Sequence, residues 1–246
     1  MRATPKANPK RTKDRESQLP WRMRPPEFHP VLVVIDMQNG FCTHGGSYEK
    51  SGTTIGAKID KYRQIIPTVI RMIDVCHELR IPVFYTQQLK EASGIDLLSR
   101  MHRIIPKRRI EFAKIHACVA GTWDAQIIDE LLPTKNDLIV VKRRDSAFQD
   151  TEFELWLKSI GADTIIYTGI DTCICVENSV RDGFNLGYDV VVVEDAVASS
   201  WQELHKATLS KIRGSFGLVI PSDRLIDTLK SGRQKASSFR LSMTHL

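Results

Sequence analysis

The chain has 246 residues, 42% apolar and 26% charged, with a formal net charge of +6, a size that fits one α/β domain carrying a tail. No run of about 18 apolar residues occurs, and the basic N-terminus has no apolar stretch after it, so neither a membrane span nor a secretory signal is expected. Five cysteines, odd in number and without framework spacing, argue against a disulfide scaffold and for a reducing, cytoplasmic setting.

Residues 1–30 hold eight Lys/Arg against three Asp/Glu, so they carry +5 of the net charge and the body is nearly neutral. The basic arm is therefore expected to be a solvated segment, packed through Trp21 and Phe28 on a neighbouring subunit of a homo-oligomer (dimer or tetramer). It is not expected to bind nucleic acid or a membrane.

From residue 31 short β-branched runs alternate with amphipathic stretches. Buried strands are expected at 31–36 (VLVVID), 82–86, 137–141, 163–168, 189–193 and 217–220. Helices are expected at about 58–80, with Pro67 as a candidate kink, and at 123–132, 151–160, 176–186, 201–213 and 222–230. The expected fold is a three-layer α-β-α domain over residues 31–232 with a six-stranded parallel sheet, followed by a tail at 233–246. Residues 87–122 form one long excursion with the character of a lid.

In such sheets a ligand sits beyond the carboxyl ends of the strands. Reading those ends gives Asp36 after the first strand, Lys142 after the third and GIDTCIC (169–175) after the fourth. A thiol needs a base or a positive field to act as a nucleophile. Asp36 can be the base, Lys142 the field, and Cys175 opens a helix that adds its N-terminal dipole.

These stretches carry a family resemblance. VVIDMQNGF around Asp36, Gly45 and Gly46, VKRRDSAF around Lys142 and TGIDTCICVENSVRDGFNLGYDVVVVEDA around Cys175 resemble, in order, the isochorismatase-like cysteine hydrolases. Within that family GTWDAQIIDELLP and SVRDGF are most similar to the ureidoacrylate amidohydrolase and biuret/triuret hydrolase branch. The resemblance implies a catalytic triad of Asp36, Lys142 and Cys175, with cleavage of a small ureide, carbamoyl or amide C–N bond through a thioester. It also implies a non-proline cis peptide at the turn before Cys175, and an oxyanion hole of backbone N–H groups at Asp171 and Cys175. Cys175 aligns with the nucleophile, six residues after Gly169 and three after Thr172, whereas Cys173 falls at a variable position.

Two departures follow. FYTQQLKEAS (84–93) lacks the Asp/His metal cluster of some relatives, so no metal or cofactor is expected. Asp171 replaces a small or apolar residue; its carboxylate should point away from the oxyanion, pair with Arg143 or Arg144, or recognise a basic substrate group. By position, Phe41, Tyr48, Gln87, Gln88, Trp123, Ser146 and Phe148 are candidates for binding the small-molecule substrate. Arg100, Arg103, Lys107, Arg108, Arg109 and Lys114 of the excursion are candidates for a substrate carboxylate. The alternatives are acid-catalysed vinyl-ether hydrolysis of the isochorismatase type, which would not need Cys175, and a non-enzymatic domain presenting its basic arm.

Overall fold

A computed structural model describes residues 28–51 and 58–232. Residues 1–27, Trp21 among them, and the tail at 233–246 lie outside the described residues. Phe28 packs, partly buried, on the core of its own chain.

Six strands form one sheet: β1 (Pro30–Ile35), β2 (Val83–Gln88), β3 (Leu138–Lys142), β4 (Thr164–Ile170), β5 (Asp189–Ala198) and β6 (Leu218–Ile220). Their order is β3-β2-β1-β4-β5-β6, with every neighbouring pair parallel. Side chains alternate across the sheet, as strand geometry requires. Leu32 and Val34 of β1 join one core, while Val31, Val33 and Ile35 join the other.

The first core is covered by α3 (Ile59–Arg63), α4 (Ile66–Leu79) and α10 (Ser222–Gly232), through Tyr62, Val69, Met72, Cys76, Leu225 and Leu229. The second is covered by α7 (Phe153–Ser159), α8 (Glu177–Asn185) and α9 (Gln202–Ser215), through Phe153, Leu157, Val180, Leu209 and Ile212. This is the expected three-layer α/β fold. Among the described residues no helix is long and apolar enough to cross a membrane.

Three expectations change. The helix at 58–80 is two helices, because Pro67 starts α4 in its first turn, where its missing N–H costs nothing, rather than kinking a longer one. The stretch 123–132 holds only two 3-10 turns, Trp123–Ala125 and Asp129–Leu131. Its backbone is drawn into pairing with the segment after β1, through Asn39 N–H to the Gln126 carbonyl and Ile128 N–H to the Met37 carbonyl. The Asp124 carboxylate is spent on Ser47 and the Cys118 N–H. Finally, β3 is an edge strand and not a buried one, with Leu138, Ile139 and Val141 exposed and only Val140 and Lys142 buried. The excursion after β2 contains two helices, α5 (Leu98–Met101) and α6 (Lys107–Lys114). Two very short helices, α1 (Asn39–Cys42) and α2 (Ser47–Lys50), follow β1.

Strand order reverses between β1 and β4, since β2 and β3 lie to one side of β1 and β4 to β6 to the other. Chains leaving neighbouring strands on opposite sides open a crevice at their carboxyl ends. Gly169 makes this junction tight. Its φ is +96°, and a Cβ there would lie 2.2 Å from the Ile35 carbonyl oxygen, whereas Gly187, at φ +92°, has nothing within 4 Å of the same position. Gly187→Ala should therefore cost about 1–2 kcal/mol of backbone strain, and Gly169→Ala more than ~3 kcal/mol because backbone must also move. Urea unfolding of the two variants checks this; equal losses would show that the close approach to β1 is not limiting.

Candidate active site

Asp36 follows β1 directly and takes a left-handed backbone, φ 50°. Thr86 of β2 holds it from both sides: the Asp36 N–H donates to Thr86 Oγ1 (3.0 Å), and the Thr86 hydroxyl donates to Asp36 Oδ1 (2.6 Å). With Oδ1 occupied, Oδ2 faces Lys142. The Lys142 Nζ lies 2.7 Å from Oδ2 and donates to the carbonyls of Arg144 and Asp145, each at 3.0 Å. An ammonium has three protons, and this cage supplies three oxygens. The lysine starts two strands away from Asp36, on the edge strand. Strand spacing of about 4.8 Å means it must cross over β2 to arrive, and it is wholly buried in doing so.

Cys175 arrives from the other side of the crevice. After β4 the Ile170–Asp171 peptide bond is cis, and residues 172–176 form a π turn that runs into α8. Cys175 is buried on that turn. The Ser179 hydroxyl donates to the Cys175 carbonyl (2.7 Å) and accepts the Ala147 N–H (2.9 Å), which ties the cysteine turn to the chain following Lys142.

Asp171 is paired, but not with Arg143 or Arg144. Its carboxylate accepts the Tyr62 hydroxyl (2.9 Å), the Cys173 N–H (3.0 Å) and the Cys173 thiol (3.1 Å), with the Ser199 hydroxyl as a further donor. It thus caps the turn that carries Cys175. Arg143 and Arg144 follow the edge strand, three positions from β4 in the sheet, and are held by Glu91 and Asp96 and by main-chain carbonyls of Asp96 and Arg143. Cys173 does not line the crevice; its thiol serves Asp171.

Asp36, Cys175 and Asp171 share one pocket with Phe41, Tyr48 and Gln88, about 540 Å³ including its open mouth. Four other candidates lie elsewhere. Gln87 spends its amide on the Ala125 carbonyl (2.7 Å). Trp123 borders a shallow groove with His44 and Arg63. Ser146 is buried and accepts the Phe148 N–H, and Phe148 packs on Phe153 and Tyr188 in the second core. Of the excursion's cations, Arg109 alone of the described side chains reaches the pocket; Arg100 bonds to the Ser93 carbonyl and Lys114 to Glu111, and the Arg108 side chain lies outside the described residues. Sequence reasoning missed Thr86, Asp145, Ile170, Ile174 and Trp201. Trp201 and Asp145 each sit just past a strand end, which was the one available signal.

Burial pushes the Cys175 thiol well above its ordinary range; Lys142 pulls it down, while the Asp36 and Asp145 charges push it up further. Burial alone would lower Lys142, yet the charges around it, Asp36 foremost, outweigh burial and hold the ammonium above its usual value. The resting crevice therefore contains a neutral thiol beside an ammonium. The lowering influence expected of Lys142 is present, but desolvation by burial outweighs it. Among the described residues no group of three or more His, Cys, Asp and Glu side chains is placed to hold a metal ion.

Sheet order, helical layers and crevice define a three-layer α/β domain with a site at the carboxyl ends of its strands. The chain belongs to the isochorismatase family, whose domain profile matches residues 30–224. It is 32% identical over 224 residues to the ureidoacrylate amidohydrolase RutB of Serratia proteamaculans (strain 568), covering 86% of this chain and 88% of that protein. It is 30% identical over 212 residues to the RutB of Methylobacterium radiotolerans (82% of this chain, 81% of that protein). The crystal structure of an isochorismatase family protein from Desulfovibrio vulgaris superposes with a TM-score of 0.69 at 27% identity, covering 82% of this chain and 99% of the other.

Lys142→Met removes the one group that lowers the Cys175 thiol most. Alkylation proceeds through the thiolate, so its rate rises with pH through the thiol pKa. Losing a lowering influence that ranks above that of Asp36 must move this rise to higher pH. The broken buried pair should also cost about 3–5 kcal/mol of stability. Iodoacetamide rates at Cys175 across pH check the first point; an unmoved profile would assign Lys142 to architecture alone.

Proposed function

We propose that the protein is a cysteine amidohydrolase of the linear-amide class, cleaving a C–N bond of a small ureide or carbamoyl substrate. The observation that carries this reading is the meeting of Cys175 with the buried Asp36–Lys142 pair at one end of a small pocket. Identity of 30–32% to proteins named ureidoacrylate amidohydrolases supports the ureide class.

Because the thiol rests neutral, its proton passes to Asp36 as sulfur attacks the substrate carbonyl, and the Lys142 charge stabilises the thiolate as it forms. Main-chain N–H groups of Asp171 and Cys175 take the tetrahedral oxyanion, an interaction of about 3 kcal/mol per donor in other enzymes. The Asp171 carboxylate opposes this little, since it is turned into its cap on Tyr62 and Cys173. The C–N bond breaks as Asp36 returns the proton to the leaving nitrogen. Asp36 then deprotonates a water that attacks the thioester, and the departing thiolate takes up the proton, which restores the thiol and releases the acid product. Phe41, Tyr48 and Gln88 line the substrate space.

The five free cysteines fit a reducing, cytoplasmic setting. A homo-oligomer would cover the apolar residues exposed on β3 and α7, such as Ile139, Val141 and Leu155.

Ammonia release across ureidoacrylate, biuret, triuret, N-carbamoyl amino acids, nicotinamide and maleamate tests the reading. Cys175→Ser should lose turnover by at least about 10³-fold while folding normally. Cys173→Ser, whose hydroxyl can still bond Asp171, should keep most of it. Ammonia release that survives in Cys175→Ser would show that Cys175 is not the nucleophile and overturn the thioester route.

A further inference from the structure

The pocket continues past Arg109. Gln88, Arg109 and Asp145 line both the pocket of Cys175 and a second chamber of about 370 Å³, mouth included. Arg109 rides on α6 and is clamped by Asp145, Nη1 to Oδ1 at 3.1 Å and Nη2 to Oδ2 at 2.5 Å. Those bonds use two of the five guanidinium N–H groups; the remaining three have no acceptor among the described residues. Arg109 is also the one cation among the described residues lining the Cys175 pocket. The carboxylates of that pocket are already engaged: Asp36 by Lys142, Asp145 by Arg109 and Asp171 by its cap.

The second chamber is lined by three cations, Lys90, Arg109 and Arg143, against two carboxylates, Asp96 and Asp145, with Gln88 and Ser99 as neutral polar residues and Leu97, Leu98, Ile105 and Ala113 as an apolar wall. Arg143 donates Nη2 to Glu91 and approaches Asp96 through Nε, but its Nη1 is buried with no partner among the described residues. A buried guanidinium nitrogen without an acceptor is the group that a ligand oxygen would satisfy.

The geometry points to this chamber as the carboxylate subsite of an acidic ureide substrate, with Arg109 as the specificity-determining residue at its entrance and Arg143 as a second donor. The inference rests on the proposed ureide chemistry for the other end of the ligand. A linear ureido acid then spans the two spaces, its carbamoyl carbon at Cys175 and its carboxylate against Arg109, with its hydrocarbon spacer along the apolar wall. Asp145 is a positioning residue here, since it fixes the plane of the Arg109 fork.

The test compares 3-ureidopropionate with its methyl ester. Wild type should favour the acid in kcat/KM. Arg109→Gln should lower kcat/KM for the acid on the order of 100-fold more than for the ester, mainly through KM. Arg109→Lys should recover part of the loss, and Arg143→Gln should cost the acid about tenfold. A second readout needs no turnover: the acid should protect Cys175 from iodoacetamide in wild type, at a concentration at least about tenfold lower than in Arg109→Gln. Circular dichroism and thermal melts establish folding, and if Arg109→Gln does not fold, the Lys and Arg143 variants decide. Ureide turnover without acid preference, or a preference and protection unchanged in these variants, overturns the subsite and leaves the reaction standing. Acid protection lost in the variants, with no ureide turned over by wild type, supports the subsite and overturns the reaction.

Discussion

A fully buried ammonium is the constraint on which the crevice depends. Lys142 cannot sit in the interior without compensation, because desolvating one charge costs several kcal/mol even after the protein relaxes. It is compensated by a carboxylate from the end of β1 and two carbonyls from the turn just after its own strand. That requirement brings together β1, β3 and the 143–145 turn, with Thr86 of the intervening β2 holding the carboxylate in place. The sheet's edge and its centre are thereby tied at the carboxyl ends of the strands.

The same burial sets the state of the sulfur. Cys175 sits where water is largely excluded, so the thiolate is disfavoured despite a cation close by. A thiol that rests neutral is protected from adventitious chemistry, since the thiolate is the reactive form. Local dipoles cannot overturn this, since a helix terminus contributes well under the cost of desolvation.

Asp171 shows how a charge at an awkward position becomes structural. Placed at the turn before Cys175, its carboxylate would oppose negative charge developing on a substrate. It is instead folded back onto a tyrosine from α3, the Cys173 N–H and thiol, and Ser199 after β5. Burial still raises its pKa, with those donors pulling the other way. The turn is thus held by elements from three separate parts of the chain, and Cys173, two residues before Cys175, gives its N–H and thiol to the Asp171 carboxylate.

By itself the sequence determined the parallel sheet, its six strands, the two helical layers and the three strand-end residues Asp36, Lys142 and Cys175. These follow from local chemistry: β-branched runs of strand length, helical periodicity between them, and a ligand crevice that must lie at carboxyl ends. Which strand is an edge was not legible, because β3 is as apolar as the central strands and only the sheet order exposes it. The 3-10 turns at 123–131 replaced an expected helix because pairing with the segment after β1 lies 87 to 91 residues away in the chain. For the same reason Gln87, Ser146 and Phe148, all near strand ends, and Trp123 between β2 and β3 turn out to serve other contacts, while Arg109, one of six cations in an unremarkable excursion, reaches the pocket. Position along a strand says where a side chain starts; where it ends depends on partners distant in sequence, and that was decided only by the tertiary structure.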